Sequence, residues 1–335
     1  MSNENNKNIK RLVLVSILLA ILVVSLGAYT RLTHAGLGCP DWPGCYGLID
    51  VPESAEQIAK AEAAFPERPV EVQKAWNEMI HRYFAGTLGL LILWITVACL
   101  RRKEIGFPKK LPLLILAIVT FQAALGMWTV TMKLMPIIVM AHLIGGFTTL
   151  CLLFLLYLRL SDYRVPGGDG TLRKYAGYGG IGVVILTMQI ALGGWTSSNY
   201  AALVCVELPI CQAGWVEQLT FENSFDPIPP DRETYEFGHL DHDERVTIHV
   251  MHRIGAIITA VYLFWLAFVV FVKAQSQFFK RSAFFLATIL TVQVGLGVSN
   301  IWFSLPLSVA VSHNVVAACL MLMLISLTYS LKRKA

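Results

Sequence analysis

The chain has 335 residues, 56% of them hydrophobic and 15% charged, with a mean hydropathy of +0.60 and a formal charge of +5. Soluble domains sit nearer ~45–50% apolar and ~25% charged, so this composition excludes disorder, fibres and nucleic-acid binding and argues against an ordinary soluble enzyme. Seven cysteines are too few for a disulfide scaffold, whereas the length accommodates several membrane spans of ~20 apolar residues each.

Eight apolar runs, at about 11–30, 76–100, 112–132, 137–158, 175–197, 247–272, 283–304 and 308–331, read as transmembrane helices. The first is too long for a signal peptide and no small-residue cleavage site follows it, so it counts as a span. The N-terminus also lacks the Arg-rich, acid-free character of an organelle transit peptide. With the N-terminus inside, segments 1–11, 101–111, 159–174, 273–282 and 332–335 carry 18 of the 27 Lys and Arg. They hold only Glu4, Glu104, Asp162 and Asp169 of the 22 acids, giving +14 inside and −9 outside. The excess of Lys and Arg in short inner loops predicts that both termini are cytoplasmic. The two long loops, about 31–75 and 198–246, then face outward.

The first span leaves the membrane through Gly27-Ala-Tyr-Thr30 into a loop carrying Cys39-Pro-Asp-Trp-Pro-Gly-Cys45. Span 2 opens with Glu78, His81 and Arg82; span 3 contains Gln122-Ala-Ala-Leu-Gly126; span 4 places His142 six residues after Pro136. Then the series repeats. Gly193-Gly-Trp-Thr196 and Cys205-Val-Glu-Leu-Pro-Ile-Cys211 follow at an offset of 166 residues. His252-Arg253, Gln293-Val-Gly-Leu-Gly297 and His313 follow at 171, the longer second loop absorbing the difference. Four spans per repeat is an even number, so both halves enter the membrane from one side and are related by a pseudo-twofold axis along the membrane normal. The expected architecture is an all-α polytopic membrane protein of two tandem four-helix bundles, residues 1–160 and 161–335.

Ionisable residues inside spans are costly and mark function. His81 lies five residues into span 2, His252 five past Thr247 and His313 seven past Pro306. With His142 they share one depth, roughly 7–11 Å inside the outer helix ends at 1.5 Å per residue. Imidazoles from different helices at one depth can meet across a bundle, and a heme iron accepts axial histidines. Gly86, Gly126, Gly145, Gly146, Gly255 and Gly297 offer close approach to a porphyrin or to a neighbouring helix. Structural zinc fits less well, because it gathers four ligands into one cluster. The plainer reading is of histidines hydrogen-bonding across helices; duplication in register favours heme.

The halves differ at one point. Glu78 precedes His81 by three residues, on the same helix face, where His249 precedes His252. A carboxylate beside a low-dielectric site can exchange protons with a substrate, the alternative being an exposed acid favoured at a helix start. The Cys39/Cys45 and Cys205/Cys211 spacings permit a disulfide in each outward loop, as a staple or as a thiol-exchange site. Cys99, Cys151 and Cys319 read as small buried hydrophobes.

On these residues the chain resembles the heme A synthase family over nearly its whole length. The features are Glu78-x-x-His81, His142, His252 and His313 on eight spans, with Gly27-Ala-Tyr-Thr-Arg-Leu-Thr33 leading into Ala35-Gly-Leu-Gly-Cys39. The resemblance implies oxidation of a ring methyl of heme O to the formyl group of heme A, for use in cytochrome oxidases. It implies that His81 and His142 hold the substrate heme beside a catalytic Glu78, and that His252 and His313 hold a heme b cofactor. It further implies the disulfides Cys39–Cys45 and Cys205–Cys211 and a bacterial plasma-membrane location. Its partners are then heme O, membrane lipid, heme O synthase, cytochrome oxidase assembly factors, an electron acceptor and a homo-oligomeric copy. His34, His239 and His242 receive no role, surface histidine being their default reading. The competing readings are a di-heme electron-transfer protein, which has no need of Glu78, a thiol oxidoreductase using Cys39/Cys45, and a transporter.

Overall fold

The computed structural model describes residues 2–104, 106–161, 165 and 169–332, with side chains from residue 6 onward. Among the sequence-counted charges, Asp162, Arg164, Arg333, Lys334 and the Glu4 side chain lie outside the described residues. Each apolar run becomes a helix: α1 (Ser2–Leu32), α3 (Val72–Leu100), α4 (Lys110–Thr131), α5 (Pro136–Leu160), α6 (Ala176–Ser198), α7 (His242–Lys273), α8 (Gln277–Trp302) and α9 (Leu307–Lys332). A further helix, α2 (Ala55–Ala64), lies in the first long loop. The shortest of the eight long helices, α4, has 22 residues, so even it reaches about 33 Å, enough for a ~30 Å hydrocarbon core. Large apolar side chains such as Leu90, Trp94 and Phe268 point outward from these helices, as they must where lipid is the solvent. This is an all-helical, multi-pass membrane protein.

The chain divides into two compact units, Met1–Leu160 with Pro230–Phe237, and Ser161–Pro229 with Gly238–Ala335. In the first, α1 packs on α3 and α5, and α4 closes the ring by packing on both. In the second, α6 packs on α7 and α9, and α8 closes the ring. Pro230–Phe237 therefore groups with the first unit although sequence order places it far along the second. Its Tyr235 N–H donates to Lys133 O at 3.0 Å, Glu236 pairs with Arg68 at 3.2 Å, and the Phe237 ring lies 5.4 Å from that of His34.

The repeat extends to backbone detail. Ala35 N–H returns to Thr30 O and Ala201 N–H to Thr196 O, both at 2.9 Å; Leu134 returns to Thr129 O and Leu305 to Asn300 O. Each is the six-to-one closure that satisfies a carbonyl at a helix C-terminus. Each is reached through left-handed residues, His34, Tyr200, Lys133 with Leu134, and Ser304 with Leu305. The two cysteine loops also share a cis proline peptide, at Trp42–Pro43 and Leu208–Pro209.

Four helices, α1, α3, α7 and α8, start four or more residues before their apolar runs, and two of them carry histidines. α3 begins at Val72 and α7 at His242, where Asp241 and Glu244 form a capping box. The apolar run marks where a helix enters lipid, while polar capping marks where it begins. His81 and His252 accordingly lie nine and ten residues past their helix starts, deeper than the count from the apolar boundary.

The first long loop is built onto α3. Ser54 and Gln57 form a capping box for α2, which buries Ala61 with Cys39, Cys45, Tyr46, Val51, Ala75 and Met79. The Tyr46 hydroxyl donates to Pro69 O, and burial pushes its phenol above the ordinary value. At Gly38 the loop touches the α3 backbone, and an added Cβ would stand 2.6 Å from the Lys74 carbonyl. Gly38→Ala should therefore lift the loop and cost about 1–3 kcal/mol. Thermal unfolding in detergent checks this against Gly89→Ala, whose Cβ meets nothing within 4 Å.

Candidate functional site: two histidine pairs and a buried carboxylate

In each unit two histidines enter from the helices that carry them toward glycines on the adjacent helix. A Cβ on Gly27 of α1 would stand 3.1 Å from His81 Cε1, and one on Gly126 of α4 would stand 3.5 Å from His142 Cε1. In the second unit Gly193 of α6 faces His252 at 3.1 Å and Gly297 of α8 faces His313 at 3.2 Å. A side chain at any of these four positions would press on an imidazole. Of the other glycines, Gly145 is covered by Gln122 and Gly255 by Gln189, whereas Gly86 and Gly146 border open space.

The His81 and His142 rings face each other with centroids 6.4 Å apart at 84°. Imidazoles bound on opposite sides of one metal, at about 2.0–2.1 Å per bond, have ring centres roughly 6 Å apart. His81, His142 and His313 each carry a buried Nδ1 without a hydrogen-bond partner. A ring nitrogen left open in this way is available to a metal. The plainer reading, histidines spent wholly on cross-helix bonds, does not account for the open nitrogens. The residues present fit a heme iron. Among the described residues no group of three or more His, Cys, Asp and Glu gathers as a metal cluster.

Glu78 is buried, at 5% exposure, rather than an exposed acid at a helix start. One carboxylate oxygen accepts the Cys39 N–H at 2.9 Å and the other pairs with Arg82. Arg82 also donates to Asp41 O at 2.9 Å and to Gly44 O. A single guanidinium thus ties the carboxylate to the disulfide loop, with desolvation offset by several charge-assisted bonds. In the second unit Arg253 clasps the corresponding loop through the carbonyls of Cys205, Glu207 and Ile210. His249, buried, occupies the place equivalent to Glu78 there.

Cys39 is bonded to Cys45 and Cys205 to Cys211, with Cα–Cα separations of 4.8 and 4.7 Å. Cys39 and Cys45 have no exposed surface, which argues for staples over thiol exchange. Cys99 is buried, and Cys151 and Cys319 are partly so. His34 and His242 stand apart from the histidine pairs, at the end of α1 and the first residue of α7.

Sequence reasoning saw Arg82 and Arg253 only as part of a repeated dipeptide and missed their grip on the loops. It also passed over Gln189. The signal was present: Gln122, Gln189 and Gln293 each stand four residues before a glycine that faces a histidine.

The fold and site define a multi-pass membrane protein with two half-buried histidine pairs suited to heme, one of them beside a buried carboxylate. The COX15-CtaA family, described as cytochrome oxidase assembly protein, matches residues 10–325. The heme A synthase of Shewanella oneidensis is 50% identical over 321 residues, 96% of each chain. Those of Chelativorans sp. and Neorickettsia sennetsu are 26% and 24% identical, covering 88% and 92% of this chain and 83% and 94% of their own. The chain belongs to the heme A synthase family of cytochrome oxidase assembly proteins.

Proposed function

We propose that this chain is a heme A synthase, oxidising a ring methyl of heme O to a formyl group within the membrane. The activity rests on one observation above all, the 50% identity to a heme A synthase along nearly the full length of both chains. The division of labour rests on the single departure from internal symmetry, Glu78 in one unit against His249 in the other.

In this reading His81 and His142 hold the substrate heme in the first unit. Glu78 takes up protons released as the methyl is oxidised, with Arg82 fixing its rotamer and balancing its charge. His252 and His313 hold a heme b in the second unit. Bound there, it supplies a one-electron redox centre, a capacity that side chains lack. Both termini are cytoplasmic, and the cysteine loops face the oxidising side of a bacterial plasma membrane, where disulfides persist. Heme O synthase as donor, cytochrome oxidase assembly factors as recipients and an electron acceptor outside the chain complete the scheme.

Acid-acetone extraction of the purified protein, with chromatography and pyridine hemochrome spectra, tests the proposal. Heme B should appear together with heme O, heme A or a hydroxylated intermediate. Heme B alone, filling both sites, would replace the synthase reading with the di-heme electron-transfer one.

A further inference from the structure

The two units carry the same arginine with different neighbours. In the first, Arg82 pairs with Glu78 one turn earlier on α3, so cation and anion balance inside the protein. In the second, Arg253 of α7 is 7% exposed and has His249, 4% exposed, at the matching place. The carbonyls of Cys205, Glu207 and Ile210 accept from its two terminal nitrogens. Among the described residues no acidic side chain pairs with it, and Glu207 is itself exposed. Arg253 Nε and His249 Nδ1 are both buried without a hydrogen-bond partner. A guanidinium is always charged. Carbonyl dipoles solvate such a charge but do not neutralise it, and a buried charge without a counter-charge is strongly unfavourable.

Resting on the placement of a heme b in the second unit proposed above, we infer that Arg253 and His249 form a carboxylate site, filled by a propionate of that heme. Arg253 directly follows the ligand His252, and His249 stands three residues before it, about 4.5 Å nearer the outer end of α7. At about 3.6 residues per turn, His249 projects between His252 and Arg253 around the helix axis. Arg253 Nε–H is a donor that a carboxylate accepts, and His249 donates from Nδ1 in the tautomer that carries its proton there. Pairing with a buried guanidinium makes such bonds strong. The propionate gives Arg253 the negative charge that Glu78 gives Arg82. In the first unit Glu78 already neutralises the arginine, so the carboxylates of a substrate heme meet no free buried cation there. The repeated arginine thus holds a resident heme in one unit and a protein carboxylate in the other.

The test uses the full-length protein purified with its hemes. Resonance Raman spectra read the propionate bands of heme B, and transfer to apomyoglobin reads its release. His249→Glu supplies an internal carboxylate to Arg253, which keeps its three carbonyls, and two carboxylates repel each other at one cation. Heme B release should quicken about 10–100-fold, the scale of a lost hydrogen bond to a charged group, and the propionate bands should shift while the thermal melt stays in place. Arg253→Gln should do the same with a lowered melting temperature, because the cysteine loop loses its clasp. Propionate bands unmoved in a folded His249→Glu would overturn the site even if release quickened, since a loosened loop changes the rate and not the propionate. Wild-type release that follows bulk chloride, with unmoved bands, would give the site to a free ion and overturn it as well. If neither variant folds, the wild type decides: its propionate bands should differ from those of bis-imidazole heme B in the same detergent, and identical bands would overturn the site. Failure of the synthase reading shows separately, as wild-type extracts holding heme B alone. The second-site heme is then the one lost in His252→Ala, and its bands and release still decide the carboxylate site.

Discussion

Glu78→Gln should leave both heme sites filled and the fold intact while lowering conversion of heme O by at least about 100-fold, the scale on which a positioned acid–base group contributes. Glutamine has nearly the same shape as glutamate, and its amide oxygen can still accept the Cys39 N–H that Glu78 accepts at 2.9 Å. What it removes is the negative charge and the capacity to take a proton. Arg82 loses its ion pair but keeps the carbonyls of Asp41 and Gly44, so the stability cost should be about 1–3 kcal/mol. Removing the arginine instead would leave an unpaired buried carboxylate, a larger penalty of about 3–5 kcal/mol. The variant therefore separates chemistry from architecture. The measurement is the ratio of heme A to heme O in extracts, alongside total heme per chain and a thermal melt. Heme A at the wild-type level would take Glu78 out of the mechanism.

The same residue shows how far the sequence could be read. Glu78 and His81 share a helix face by spacing alone, and the repeat exposed the contrast with His249. But spacing along one helix does not tell what approaches from a loop. The Cys39 N–H comes from 39 residues away, and Arg82 reaches back across the cysteine loop. Those contacts depend on a turn geometry that hydropathy and periodicity do not encode. The helix starts were misplaced for a related reason. Glu71, Gln73 and Lys74 flank the apolar run of α3, so a scan for apolar segments stopped at the water interface while the helix continued. α2 carried a legible signal, Ser54 three residues before Gln57 and an alanine-rich stretch behind, which a search for lipid-spanning runs does not seek. The grouping of Pro230–Phe237 with the first unit had no local signal. It is held by Tyr235, Glu236 and Phe237 on partners at Lys133, Arg68 and His34, and single-sequence patterns do not reveal pairs that far apart. The histidines were legible because a membrane interior makes polar residues rare enough for position alone to be informative.

His252→Ala should empty the second site: heme B should fall by about one equivalent per chain, with heme O and heme A retained on the first. The reasoning is local. Removing the imidazole takes away one of the two proposed ligands, while the Gln189 amide keeps its bond to the backbone carbonyl of residue 252. His249, on the same side of α7, lies a turn nearer the helix start, so it does not replace the lost ligand. If the second-site heme carries electrons off the substrate as proposed, conversion should stop as well. The stoichiometry distinguishes this from general unfolding. His81→Ala, the counterpart in the first unit, should lose heme O and heme A and keep heme B. If His252→Ala instead kept both the heme B content and the low-spin spectrum of the wild type, the pairing of His252 with His313 as ligands would be wrong, whatever the activity did.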